Sequence, residues 1–524
     1  MGKVPLRQII DGQQRLATLQ LAFAAARDLA VQIDLKKYAA AFDNLTKNDV
    51  PLSTDPDDVF KVWPTNADRD AFRTVMLAGS HRRVAEFDDS LKHHRLISQA
   101  YLYFFETFAE WLKSSPGEPA MGMECLYTAL RDDLHLVVID LEKEDDAQEI
   151  FQTLNALGTP LLTSDLVKNY LFRLASQQNE DLESLHQRYW AAFDTDQDYW
   201  REEVRQGRLR RPRVDLFVHH YLTLRMGEEI NATQLFSSFR DYVGSSNGET
   251  AARHMALFRS YADVYRSFDS QPANSREAIF FRRLDQLDTT TVYPLLLEAF
   301  KRFPSADTRV ELDVIMGDLE SYFVRRAVCE LTTRGYNRVF IDLIKSLRST
   351  TFSATAIRKF LLEQSGDASR WPKDDEFRQA WSALSFYKRL KRSRVRMILE
   401  AVELSQYTPK SEKVIVDDDI TVEHLMPRDW ERHWPLTTAT LEERETLIDT
   451  IGNLTLLTKS LNPAVSNGPW ATKREQIRKH DKLDLNRDLP DTWDEKAVRA
   501  RTEVLLGMAM KLWPRPQKAS ATGV

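Results

Sequence analysis

Between about residue 180 and residue 405, apolar side chains return every three or four positions, the period of helices buried on one face. Phe217 to Leu224, Val292 to Phe303, Val310 to Cys329, Phe340 to Leu347 and Val395 to Leu404 each carry it. No fixed-length repeat runs through them, so a solenoid is not expected. His219 and His220 fall inside one of these stretches. Neighbouring helix positions point about 100° apart, so the pair reads as packing and not as a joint metal site.

The pattern before this region is mixed. Val4 to Ile10 reads as a short strand, Asp11-Gly12 as a turn, and Gln13 to Asp28 as a helix with Leu16, Leu19, Phe23 and Ala26 at helical spacing. Residues 30 to 95 are polar and irregular. Asp55-Pro56-Asp57-Asp58 reads as a loop and Phe60 to Pro64 as a short strand, while Asp68 to Ala78 and Leu91 to Ser114 read as helices. Val137-Val138-Ile139 makes Leu134 to Leu141 the clearest strand of the first third. A helix from Asp146 to Leu157 stops at Gly158 and Pro160, and another, Leu166 to Ala175, takes Ser164 or Asp165 as its cap.

After the helical region the period changes again. Lys410 to Asp419 is a polar linker. Ile420 to Pro427 reads as a strand ended by proline, and Asn453 to Leu457 as its partner. The spacer Arg428 to Thr450 has room for a helix. Trp470 to Lys479 and Trp493 to Trp513 are helical, and the chain from Pro514 onward is expected to be disordered. The fold class is therefore mainly α with α+β ends. The expected domains are 1–178, a helical 179–409, and 410–524 with a C-terminal helix.

Composition narrows the setting. The 524 residues allow two to four domains, and 43% hydrophobic with 29% charged residues is ordinary for a soluble globular protein. No run of about 18 apolar residues suggests a membrane span, and the first residues, Met1-Gly2-Lys3-Val4-Pro5, lack a secretory pattern. Cys125 and Cys329 are too few for a disulfide framework or a cysteine-rich zinc site. The expected compartment is the cytoplasm, with no membrane partner. A net charge of −6 does not advertise nucleic-acid binding, although it averages over faces. Two basic runs stand out: Arg205, Arg208, Arg210, Arg211 and Arg213, and Lys388-Arg389, Lys391-Arg392, Arg394 and Arg396. Each alone reads as a solvated face.

The candidate chemistry lies in Ile420-Thr421-Val422-Glu423-His424-Leu425-Met426-Pro427 and in Ile451-Gly452-Asn453-Leu454-Thr455-Leu456-Leu457, followed by Asn462, Asn467 and Lys473. Cleaving a phosphodiester needs a base for water and a divalent ion for the phosphate charge. Adjacent strand residues face opposite ways, so Glu423 and His424 take separate tasks. Glu423 and the amide oxygen of Asn462 suit a hard ion such as Mg²⁺ or Mn²⁺, and His424 suits the base. At the other end, a glycine turn entering a helix offers N–H groups and a positive dipole end to an anion, with Arg15 in the first turn. Taken alone, that turn is a plain strand-to-helix connection.

These residues resemble an HNH endonuclease domain, a ββα-metal unit. By that likeness Glu423 and Asn462 would ligate metal, His424 would activate water, and Asn453 would brace the loop that carries His424. Asn467 and Lys473 would be structural or DNA-contacting neighbours. Where the third position of the motif is often histidine, this chain has Asn462.

Asp11-Gly12-Gln13-Gln14-Arg15-Leu16-Ala17-Thr18-Leu19, and Ile150 to Leu161 continuing through Asp165-Leu166-Val167-Lys168-Asn169, resemble the two signatures of the N-terminal domain of GmrSD-type proteins. That domain is ParB- or sulfiredoxin-like. The resemblance implies a modification-dependent (type IV) restriction endonuclease of phage defence, with modified phage DNA as substrate. It also implies a nucleoside triphosphate, GTP or ATP, at Asp11, Gly12, Gln14 and Arg15. Family members carry several dozen residues before this signature, and here about ten precede Asp11. The expectation is thus a partial ParB-like domain with a weakened nucleotide site, completed in a homo-oligomer or by a partner chain. A reading from another class is a DNA- or nucleotide-binding regulator with a decayed nuclease centre. The presence of Glu423, His424, Asn453 and Asn462 favours the enzyme.

Overall fold

In the computed structural model, helix α1 (Gln13–Gln32) starts where the glycine turn places it. Gly12 precedes it with φ +88°, a left-handed conformation that a side chain disfavours. The structure describes residues 7, 9, 12–49, 55–64, 68–90, 96–140, 162–206, 209–246, 248–407, 420–436, 439–458, 468–481 and 483–517. They divide into two units, 1–160 and 161–524.

In the first unit α1 is buried on every side from Gln20 to Ala30. Ala24, Ala25, Ala26 and Ala30 are small enough for α2 (Lys36–Thr46), α3 (Arg69–Leu77), α4 (His81–Ser90) and α5 (Leu96–Ser114) to close around them. α6 (Pro119–Thr128) completes this core. Arg27 is buried there too, so its guanidinium needs fixed partners. It has Asp28 at 2.7 Å, Asp43 at 3.3 Å and the Met76 carbonyl at 3.0 Å. Tyr101 donates to the other oxygen of Asp28 at 2.6 Å.

Two expected strands of this unit take other forms. Phe60 to Pro64 contributes only a single bridge, Lys47 to Phe60, because Trp63 turns to stack on Phe60 with ring centroids 5.0 Å apart. Pro56–Val59, expected as loop, is a 3₁₀ turn. Leu134 to Asp140 is extended but has no strand partner among the described residues, and Val137, Val138 and Ile139 are exposed. The apolar run gives a strand's local preference, while a strand also needs a neighbour to bond. Asp140 makes an exposed ion pair with Arg7 at 3.3 Å. Expected strand Val4 to Ile10 and helix Asp146 to Leu157 lie outside the described residues, apart from residues 7 and 9.

In the second unit α7 (Thr163–Gln177) begins one residue before the expected caps, with Leu162 as N-cap and no side-chain bond, so Ser164 and Asp165 sit inside the first turn. Short turns lead to an antiparallel hairpin, β1 (Glu203–Gln206) with β2 (Leu209–Pro212). The helices then follow the sequence pattern closely: α8 (Arg213–Met226), α9 (Leu235–Ser245), α10 (Ala251–Asp269), α11 (Arg276–Gln286), α12 (Tyr293–Arg302), α13 (Arg309–Val328), α14 (Tyr336–Arg348), α15 (Ala354–Glu363), α16 (Asp374–Ala383) and α17 (Arg392–Ser405). His219 and His220 face packed surroundings on α8, and burial holds His220 neutral by lowering its pKa well below the ordinary value.

α13 is the hub of this unit and is buried on nearly every side of its second half. Its polar residues are therefore all engaged. Glu320 meets Arg276 at 3.0 Å, Arg283, and the Trp513 indole N–H at 2.9 Å. Arg325 donates to the carbonyls of Trp513 at 2.7 Å and Pro372 at 3.2 Å.

The C-terminal part adds β3 (Ile420–His424), α18 (Leu441–Ile448), β4 (Leu454–Thr458), α19 (Trp470–His480) and α20 (Glu495–Leu512). β3 and β4 are antiparallel, with Glu423 opposite Thr455 and His424 opposite Leu454. α17 packs on both strands and on α20, so Ile420, Leu454, Leu456, Leu505 and Leu506 share one core with the helices. The expected linker Lys410 to Asp419 lies outside the described residues. The segment expected to be disordered from Pro514 is docked at its start. Ser321 donates to the Pro514 carbonyl at 2.8 Å and Arg515 to the Trp371 carbonyl at 3.1 Å. Trp513, buried completely, carries these two residues into place. Among the described residues no helix is long and apolar enough to cross a membrane.

Candidate active site

His424 ends β3, where the strand gives way to the turn Leu425-Met426-Pro427. The turn is held by Asn453, which is completely buried. Its amide oxygen accepts from Met426 N–H at 2.8 Å and from the Trp493 indole at 3.0 Å. Its amide nitrogen donates to the carbonyls of Met426 and Ile448, each at 2.8 Å. Every hydrogen-bonding direction of one side chain is thus spent on fixing the loop. Gly452, just before it, has no room for a side chain, since an added Cβ would run into Thr502 and the Val498 carbonyl of α20.

The imidazole of His424 is 10% exposed, and its Nε2 lies 3.0 Å from Asp449 Oδ1. Asp449 is itself 1% exposed and carries more than the histidine. Arg428 donates to it through Nε at 3.1 Å and Nη2 at 3.0 Å, and Lys388 Nζ lies 2.9 Å from its second oxygen. Burial would raise the carboxyl's pKa, but the bonds from Lys388, His424 and Arg428 outweigh it and hold Asp449 below the ordinary carboxylate range. For His424 burial wins over the Asp449 bond, and its pKa falls to about 4. The pair therefore stands as neutral imidazole and carboxylate at neutral pH. A carboxylate only accepts, so Nε2 carries the hydrogen and Nδ1 keeps the lone pair.

The His424 ring also meets Tyr387, with centroids 4.2 Å apart at 63°. Tyr387 N–H donates to the Asp449 carbonyl at 3.1 Å. Tyr387, Arg428 and Asp449 are not among the residues that the sequence singles out, and Lys388 stands there only as part of a basic run. Asp449 is four residues before Asn453, but nothing in its neighbours marks it. The others reach His424 only through tertiary packing.

Glu423 is half-buried on β3, and Thr421 Oγ1 donates to it at 3.2 Å. Lys473, on α19, is turned inward. It is 3% exposed and its ammonium donates to the His424 carbonyl at 2.6 Å. Burial lowers its pKa to about 8 against the opposing pull of Glu423. Expected as a structural or DNA-contacting neighbour, Lys473 lies with Trp470 and Ile477 on the buried side of α19 and braces the strand that carries His424. Asn462 and Asn467 lie outside the described residues.

A hard divalent ion needs one or two protein oxygens and keeps several waters. Glu423 fits that demand at the strand position adjoining His424. Among the described residues no three His, Cys, Asp or Glu side chains cluster as a zinc site would require.

In the first unit, Gly12, Gln14 and Arg15 stand at the N-terminus of α1. Gln14 and Arg15 are exposed, and the Arg15 guanidinium lies against Gly12, 3.6 Å from where a Cβ would be. Asp11 lies outside the described residues.

Residues 3–172 match the N-terminal domain of GmrSD restriction endonucleases, and residues 371–508 match the C-terminal domain of GmrSD restriction endonucleases. The two matches together cover more than half of the chain, and the second contains β3, Asp449, Asn453 and the segment from Tyr387 to Arg396. No curated protein matches the chain.

Proposed function

Because this chain belongs to the GmrSD family of restriction endonucleases, we propose that it is an HNH-type, metal-dependent DNA endonuclease of phage defence that acts on modified DNA. The observation that carries this reading is the geometry at His424: a neutral imidazole held by a buried carboxylate at 3.0 Å, on a loop fixed by Asn453, with Glu423 adjoining it on the strand.

In this reading Glu423 and Asn462 hold Mg²⁺ or Mn²⁺. When bound, such an ion supplies positive charge for the phosphate oxygens and the leaving group. His424 takes a proton from water at Nδ1, and Asp449 keeps the ring in the tautomer that leaves Nδ1 bare and steadies the charge that follows. Asn453 and Lys473 hold the strand end so that the ring does not swing. A nucleotide, GTP or ATP, is assigned to Asp11, Gly12, Gln14 and Arg15 at the head of α1, where backbone N–H groups and a guanidinium suit a phosphate. The whole acts in the cytoplasm.

Purified full-length protein with Mg²⁺ or Mn²⁺ is expected to nick or cleave DNA, more so on modified than on plain phage DNA. His424→Ala is expected to lower the rate by about 10³-fold or more, from the loss of a general base. Equal cleavage by the variant would overturn the assignment.

A further inference from the structure

The basic run from Lys388 to Arg396 reads in sequence as a solvated helix face, and its packing sorts it into two sets. Four of its cations are neutralised or spent within the fold. Arg389 pairs with Glu330 at 2.6 Å, Lys391 with Asp288 at 3.0 Å and Arg396 with Glu400 at 2.5 Å. Arg394 donates to the carbonyls of Gln286 at 3.3 Å and Leu287 at 2.9 Å. Lys388 and Arg392 remain. Arg392 lies against the Tyr387 ring and donates to the Tyr387 carbonyl, and among the described residues it meets no carboxylate. Lys388 shares Asp449 with Arg428, and Arg428 also lies over the Tyr387 ring at 4.8 Å.

Three cations thus gather on one tyrosine and one buried carboxylate, and that tyrosine touches His424. Lys388 and Arg428 are 58% and 47% exposed, so their charge reaches solvent, whereas Asp449 does not. Among the described residues the ion pairs of Lys388 and Arg428 run to Asp449 alone, and both cations carry their charge to the surface beside His424. We propose that Lys388 on Asp449, and Arg392 and Arg428 on Tyr387, form a phosphate-binding cluster that holds the DNA backbone next to the phosphate to be cut. The inference rests on His424 being the nuclease centre. Its chemistry is that of any cationic track for DNA, in which each phosphate neutralised releases a condensed counterion.

The test is DNA binding by the full chain, read by fluorescence anisotropy of a short labelled duplex across a salt series in EDTA, so that no ion-dependent cutting intrudes. Each of Lys388→Ala and Arg392→Ala is expected to lower the slope of log affinity against log salt by about 1, and the double variant by about 2. At 0.1 M salt the double variant should bind roughly 50-fold more weakly. Lys388→Arg should keep the wild-type slope. Arg338→Ala, which removes an exposed arginine on α14, should change nothing. The single variants keep the test decisive if the double variant does not fold. Unchanged slopes in both single variants would overturn the cluster, as would an equal loss in Arg338→Ala. Because binding is read without cleavage, failure of the nuclease reading shows separately, as wild-type protein that binds with the expected slope and does not cut.

Discussion

Two carboxylates of the second unit, Glu320 and Asp449, are bound in nearly the same way and serve different ends. Each is almost completely buried, and each accepts from two basic side chains and one ring N–H, from Trp513 in one case and His424 in the other. They differ in where the donors end. At Glu320 the Arg283 side chain is 14% exposed, Arg276 is 35% exposed and Trp513 is sealed, so most of the cluster lies inside the fold. At Asp449 the cations are half exposed, and among the described residues the second ring nitrogen of His424 has no hydrogen-bond partner. A buried acid surrounded by buried donors ties helices together. A buried acid whose donors reach water orients them toward something outside the protein.

The comparison can be broken at its strongest point first. Glu320→Gln leaves Arg283 with no counter-charge inside the fold, and breaking such a pair is expected to cost about 3 kcal/mol. That should appear as a fall of roughly 3–4 °C in the melting temperature. Next in size is Asp449→Asn. It should lower cleavage on the order of 10²-fold, through loss of the ring's tautomer and orientation. Its cost in stability should stay under about 1 kcal/mol, because Lys388 and Arg428 can turn to water. Equal losses of melting temperature in the two variants would erase the distinction.

The smallest effect is in pH. Burial would raise the Glu320 pKa, but Arg283, Arg276 and Trp513 outweigh it and hold it below the ordinary value. Its contribution to stability is then full above the unfolded pKa of about 4.3 and is lost as pH falls through the lower folded value. Below about pH 4.3 the wild-type melting temperature should therefore drop more steeply than that of Glu320→Gln. Parallel curves would remove Glu320 from the account.

What the sequence made legible was local. Glu423, His424 and Asn453 could be marked because a strand alternation and a Gly-Asn-Leu run can be read within a few residues. The helices from α8 to α17 followed from their period. The role of Asp449 could not be read, because the residues that give it meaning, His424 and Lys388, lie 25 and 61 positions away. Lys473 could be placed near the site, but its bond to the His424 carbonyl, 49 positions away, could not be read. Val137 to Ile139 are extended as their apolar run suggests, but such a run reports a preference and not a neighbour, and no partner strand lies among the described residues. Pro514 and Arg515 misled in the opposite way. Their composition suits a loose tail, and only the slot beside Trp513 holds them.

That slot also sets a timetable. A ribosome delivers β3 and His424 well before Trp493, whose indole helps fix Asn453, and before α20, on which Gly452 packs. Trp513, which locks α20 to α13, follows His424 by about 90 residues, or roughly 5–20 s of synthesis at ordinary rates. Through that interval the histidine exists on a strand whose loop, brace and backing helix are still to come. His424 is made before its supports and is assembled with them late, so a nascent chain carries this histidine for some time before the loop around it is fixed.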